Sequence, residues 1–396
     1  MSETKYDFDK IIDRTDSHCV KWERAQALFG TRDIIPLWVA DMDFETPDFI
    51  REALIKRLEH PVYGYTVPPQ SYWKSIMDWL SARHHWTVKQ EWLAYIPGIV
   101  KGLGLVELAF TRPGDGVVIQ PPVYHPFRLV TEHNGRRVLY NPLHFNGRQY
   151  QMNFVQLETL FRQGGCKLLL LSNPHNPSGR VWSADTLHRL ASLCARYNVL
   201  VASDEIHADM AFNGHKHVPF ATVSAQAREN SITFAAPSKT FNIAGIVSSY
   251  AVVPNDAIRR KFYDFLNANE LADAPFLATI ATEAAYVHGE PWREQMLAYV
   301  EENIAWVKDF LQRNLPAVKV IDPQASFLVW LDCRELTSKG IQNIPQFFVD
   351  AGLGLNDGEM FGKEGRGFMR LNVATPRAVL LRAFARLEAH YLECTR

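Results

Sequence analysis

Cysteine is scarce in this 396-residue chain: there are five, Cys19, Cys166, Cys194, Cys333 and Cys394, with no CxxC spacing among them. An odd count without a paired pattern argues against a disulfide framework or a zinc finger and fits a reducing compartment. A surplus of either charge is lacking too. The 42 Lys and Arg against 43 Asp and Glu leave a formal net charge of −1, so nothing favours recruitment of nucleic acid or an anionic membrane. No stretch reaches the roughly 18 continuous apolar residues of a membrane helix. The opening residues, MSETKYDFDK, are polar and charged and hold no apolar signal segment. The expectation is a soluble, cytoplasmic protein. Repeats, low-complexity tracts and long linkers are absent as well.

What is present is ordinary globular material, with 47% hydrophobic and 21% charged residues, enough for a large core. The length predicts two domains. Residues 1–45 carry few periodic runs and read as an arm packing with the smaller domain. Residues 46–285 read as a large domain and 286–396 as a smaller α+β domain. From Trp92 onward, short apolar runs alternate with helical patterns: Trp92–Ile96, Val117–Gln120, Lys167–Ser172, Val199–Ser203, Ile232–Ala235 and Ser249–Val253. Near-continuous hydrophobic strands of this kind predict an α/β fold with a mostly parallel sheet covered by helices on both faces. Ser183 is a candidate N-cap. Leu187, Leu190, Cys194 and Tyr197 then share one helical face before the next strand begins.

In open α/β sheets, ligands sit beyond the carboxyl ends of the strands. Five strand ends here carry turn chemistry: PGIVKGLG, PPVYHPF, NPHNPSGR, DEIHAD and APSKTFNIAG. Lys239, just past an apolar strand, is costly to bury charged, and a lysine of lowered pKa forms Schiff bases. Taken alone it is more commonly a solvated loop lysine. Asp204 suits a protonated ring nitrogen or, equally, a helix N-cap. Asn176 lies in a turn rigid with proline, and Tyr124 stands beside prolines where an aromatic can stack. Ile99 and Val100 open a helix whose first amides suit a phosphate. Arg370 suits a carboxylate, or a surface ion pair. Asp41 and Asp43 resemble half a metal site, but no histidine stands at a diagnostic spacing and no metal is expected. His84-His85 and His215-Lys216-His217 lie in polar stretches and read as solvated.

The strings APSKTFNIAG, SNPHNPSGRVW, SDEIHADM, PPVYHPF, WVADMDF and VYGYT, kept in order over nearly the whole chain, resemble the fold-type I pyridoxal-5′-phosphate (PLP) enzymes. Within the class I/II aminotransferase superfamily they resemble most the cystathionine β-lyase (C–S lyase) branch typified by MalY, PatB and cystalysin. The resemblance implies that Lys239 carries PLP as a Schiff base and serves as general base. It implies that Asp204 pairs with the pyridine nitrogen, that Asn176 bonds the phenolic oxygen with His207 nearby, and that Tyr124 stacks on the ring. The Ile99 and Val100 amides would hold the phosphate with Ser238 as helper. Arg370 and Ala40 would bind substrate. Tyr65 would reach the neighbouring subunit's site, which implies a homodimer with shared active sites.

Departures stand at Ala236, where many relatives have serine, at Ala325-Ser326-Phe327, where Gly-Thr-Tyr is more usual, and at His125, where some have a second aromatic. The implied reaction is β-elimination from L-cystathionine or L-cysteine, giving a thiol, pyruvate and ammonia. Aminotransfer uses the same lysine, aspartate and arginine and is the rival reaction. A regulatory protein-binding role could coexist with either.

Overall fold

The computed structural model describes residues 5–395. Seven strands form the main sheet: β1 (Leu93–Ile96), β2 (Gly116–Ile119), β3 (Arg137–Tyr140), β4 (Cys166–Ser172), β5 (Leu200–Asp204), β6 (Ser231–Ala235) and β7 (Ser249–Val252). Their order in space is β1-β7-β6-β5-β4-β2-β3. All run parallel except β7, which is antiparallel to both its neighbours. The sheet is thus mostly parallel, as the continuous apolar runs predict, because helices cover both faces and leave no wet side needing alternate polar residues. The central strands β5 and β6 are buried at every position. Six of the seven strands fall on the predicted runs. The seventh, β3, is an edge strand whose Arg137 and Tyr140 are exposed, so it lacks the continuous apolar signature.

Strand register sets where the ends fall. Ser172 pairs with Asp204, and Asp204 with Phe234, so β4, β5 and β6 end level with one another. The helix after β4, Ala184–Arg196, begins as predicted: the Ser183 hydroxyl accepts from the Thr186 amide at 3.2 Å.

The C-terminal part holds a smaller antiparallel sheet ordered Lys319–Ile321, Leu328–Asp332, Phe368–Asn372, Asn356–Asp357. Near the N-terminus, Ile35–Pro36 pairs in parallel with Leu353–Gly354. The two bodies also meet at Gly179, whose carbonyl accepts from the amides of Gln324 and Ala325 at 2.9 and 3.0 Å. A Cβ there would lie 2.8 Å from the Pro323 Cβ at a φ of +66°, so only glycine permits this approach. Among the described residues, no helix is long and apolar enough to cross a membrane.

Candidate active site

The level ends of β4, β5 and β6 open into a cavity of about 300 Å³. Lys239 projects into it from the turn after β6. The turn is closed by the Phe241 amide on the Pro237 carbonyl and the Ile243 amide on the Ser238 carbonyl. The lysine ammonium donates to the carbonyl of Ala40, a residue of the WVADMDF segment. Burial pushes the amine down to about 8, as do Arg370 and Lys21, while Asp41 and Asp204 oppose the fall. Ser238 lines the same cavity.

Asp204, the last residue of β5, is buried and receives one backbone donor, the Ile206 amide at 3.1 Å. Among the described residues, no cation forms an ion pair with it. Burial lifts its carboxyl to about 7, with Glu205 adding to the rise and Lys239 and the Ile206 amide opposing it. A buried acid of this kind is completed by a cationic or N–H donor. His207, three residues on, lies at the cavity wall, its Nδ1 without a partner among the described residues. Burial, aided by Lys239 and Arg370, pushes it down to about 3, so it stands as neutral imidazole.

Asn176 reaches the cavity from the turn after β4, and Tyr124 from the turn after β2. The two turns are joined by the Tyr124 amide on the Asn176 carbonyl at 3.1 Å. Burial raises the Tyr124 phenol, which therefore remains protonated. Opposite stands the start of the helix Ile99–Phe110. Its N-cap is Gly98, at a φ of +109°, and no side chain caps it. The first amides of such a helix have no intrahelical acceptor and present partial positive charge to the opening. The Ser248 hydroxyl, also at the wall, has no hydrogen-bond partner among the described residues.

Arg370 arrives from the smaller sheet. It is 5% exposed, and none of its partners is a carboxylate: Nη1 donates to Asn176 Oδ1 at 3.0 Å, and Nη2 donates to the Trp38 carbonyl at 3.1 Å and to Asn356 Oδ1 at 2.7 Å. Its Nε has no partner among the described residues, and burial brings the guanidinium down to about 10. Asn356 is its cross-strand neighbour. Because Asn176 gives its oxygen to Arg370, its amide hydrogens remain as donors. The free groups therefore fit a planar cofactor with a ring nitrogen for Asp204, an oxygen for Asn176 and an anionic group for the helix start, which are the features of PLP.

Nine of the named residues thus line one opening, and Arg370 joins them through its bond to Asn176. Tyr65 does not. It is fully exposed, in the segment between the helices Asp48–Leu58 and Gln70–His84. Of the departures, Ser326 adopts a φ of +75° with its amide on the Met210 carbonyl, and Phe327 lies edge-on to His207. His125 lies edge-on to Phe361, with burial, Arg370 and Arg128 lowering it to about 4.

Two expectations are corrected. His84 and His217 are not solvated. His84 Nε2 is bonded to Asp209 Oδ1, and His217 Nε2 to Glu205 Oε2, each at 2.8 Å in the interior behind the cavity. The acids that hold them stand in the DEIHAD turn, and nothing local to the histidines announces this. Asn372 is a residue that sequence reasoning missed. It donates to the carbonyls of Val39 and Asp41, both at 2.7 Å. Its spacing of two from Arg370 on a strand was a readable signal, since alternate residues share a face.

Comparison with known proteins gives a consistent picture. Residues 32–387 match the family described as aminotransferase class I and II. The chain is 42% identical to "Cystathionine beta-lyase PatB" of Bacillus subtilis (strain 168), with 96% of this chain and 99% of that one covered. It is 33% identical to "Protein MalY" of Escherichia coli (strain K12), covering 96% and 98%. It is similar to the crystal structure of cystalysin from Treponema denticola, which contains a pyridoxal 5′-phosphate cofactor. The TM-score is 0.94 at 33% identity, with 98% of this chain and 100% of that one covered.

Proposed function

The chain belongs to the class I and II aminotransferase family, and on that premise we propose that it is a PLP-dependent carbon–sulfur β-lyase, cleaving L-cystathionine or L-cysteine-type substrates to a thiol, pyruvate and ammonia. One observation carries the chemistry. Among the described residues, a buried lysine amine and a buried aspartate without a cation line one cavity, and a buried arginine without a carboxylate is bonded to its Asn176 wall. The near full-length likeness to cystathionine β-lyase PatB selects the reaction among those such a site can run.

When bound, PLP supplies an electron sink for negative charge developing at the substrate's α-carbon. The chain's own residues do the rest. Arg370 takes the substrate α-carboxylate, its charge otherwise uncompensated in the interior. Lys239 would hold the cofactor, and its free amine would take the α-proton. An amine near 8 is free in useful fraction at neutral pH and is still basic. Asp204 would keep the ring nitrogen protonated, the Asn176 amide would bond the ring oxygen with neutral His207 near, Tyr124 would stack on the ring, and Ile99, Val100 and Ser238 would hold the phosphate. The Ala40 carbonyl bounds the substrate side.

We further propose a cytoplasmic homodimer in which Tyr65 acts in the partner's site. Tyr65 and its neighbours Val62, Tyr63 and Val67 are exposed apolar groups in one segment, and a second copy would cover them. The five cysteines, all unpaired, suit the reducing compartment.

The reaction is tested by incubating PLP-loaded protein with L-cystathionine and no keto acid. Stoichiometric pyruvate and thiol are expected. Amino-group exchange that requires an added keto acid, without pyruvate, would instead make it an aminotransferase.

A further inference from the structure

The segment Trp38–Phe44 crosses the cavity's edge, and its carbonyls are held from three directions. Arg370 holds Trp38, Asn372 holds Val39 and Asp41, and Lys239 holds Ala40. Asn242, three residues past Lys239, donates to the carbonyls of Met42 at 3.1 Å and Phe44 at 2.8 Å and accepts from the Met42 amide at 3.0 Å. The third direction is the N-terminal arm. There Arg14 pairs with Asp41 at 2.7 Å and Asp43 at 2.8 Å, and Lys21 pairs with Asp41 at 3.1 Å and Asp43 at 2.9 Å. Lys21 is 1% exposed, so this is a closed quartet of two cations and two anions, one of the cations wholly in the interior.

An ion quartet with one cation wholly buried and three partly exposed members is an expensive way to pin a segment. Apolar residues of similar volume often hold as well, because desolvating each ion costs several kcal/mol. Asp41 and Asp43 point to one face, where the arm meets them. Only Asp41 adjoins Ala40, whose carbonyl takes the Lys239 amine. Its carboxylate is the acid that acts most on that amine, ahead of Asp204. Lys21 acts on it in the opposite sense.

From this we infer that Asp41, held by Arg14 and Lys21, is a positioning residue for Lys239: it fixes the Ala40 carbonyl on which the lysine nitrogen rests and places a carboxylate one residue from it. The inference rests on the reading of Lys239 as the cofactor-bearing lysine. Other groups facing Lys239 are Asp204 and His207 from the end of β5 and Arg370 from the smaller sheet. Tyr124 and Lys101 line the same cavity. These stay in place when Asp41 is changed, so the comparison isolates one charge.

The test is the pH titration of the visible absorbance of the PLP-loaded enzyme. Wild-type protein must first show a pH-dependent visible band that Lys239→Ala lacks. Failure there counts against Lys239 itself and not against Asp41. Given that band, Asp41→Asn removes a negative neighbour, and its midpoint falls by roughly one pH unit, the effect of a nearby opposite charge. Lys21→Met moves it upward. Asp43→Asn breaks the same quartet from two residues further on and moves it less than half as far as Asp41→Asn. If Asp41→Asn folds too poorly to titrate, two double variants decide: Lys21→Met with Asp41→Asn against Lys21→Met with Asp43→Asn. They lose the same charges, and the midpoint of the first lies below that of the second. Equal midpoints in either comparison, or shifts of the same sign for Asp41→Asn and Lys21→Met, would overturn the inference.

Discussion

At the scale of single residues, the proposed roles are a carboxylate receptor for Arg370 and a base of lowered pKa for Lys239. Arg370→Lys keeps the charge but loses the planar fork that also serves Asn176, Asn356 and Trp38. We expect kcat/KM to fall by the equivalent of about 1.5–3 kcal/mol, with cofactor affinity little changed. An unaltered kcat/KM would remove Arg370 from that role. In protein stripped of cofactor, burial holds the Lys239 amine near 8 against an ordinary value of 10.5. Below pH 8 it is mostly charged and reacts slowly. Competitive labelling with an amine reagent should therefore find it rising in reactivity through about pH 8, well before the surface lysines. A midpoint shared with those lysines would count against the burial argument. The strand-end residues were legible in the sequence because turn chemistry repeated after five apolar runs. His84 and His217 were not. Each is defined by a carboxylate supplied elsewhere, Asp209 lying 125 residues from His84. Lys21 was equally silent, since a lone lysine in an aperiodic segment carries no sign of the two aspartates that bury it.

At the scale of elements, the main sheet was legible because the central strands are buried and mostly apolar, and β3 was not because it forms an exposed edge. The join between the lysine turn and the Trp38–Phe44 segment was not legible either, since it is made by one asparagine and backbone carbonyls. Asn242 holds that join with three hydrogen bonds at a φ of +54°. Asn242→Ala loses the bonds and also places a Cβ residue without a stabilising side chain in left-handed conformation. The expected loss is about 2–4 kcal/mol in urea unfolding. Asn242→Gly loses the same bonds without the backbone penalty and should be more stable than Asn242→Ala by about 1 kcal/mol. Equal stability of the two would mean that the left-handed turn is not retained.

At the scale of the whole molecule, the parallel pairing of Ile35–Pro36 with Leu353–Gly354 and the reach of Arg370 toward Asn176 make the site a junction of distant parts of one chain. In the proposed homodimer, Tyr65 would extend that logic to a second chain. Mixing Tyr65→Phe with Lys239→Ala under conditions of subunit exchange gives heterodimers in which one site has both wild-type residues. Activity should rise above that of either homodimer, provided Tyr65→Phe alone is impaired. No rise despite demonstrated exchange would confine Tyr65 to its own subunit. All of these roles depend on one bond. Borohydride reduction of the yellow, PLP-loaded protein followed by peptide mapping tests that bond most directly. The account predicts one label per chain, on the peptide containing Lys239. Label on another lysine, or none on a protein that binds PLP, would contradict it.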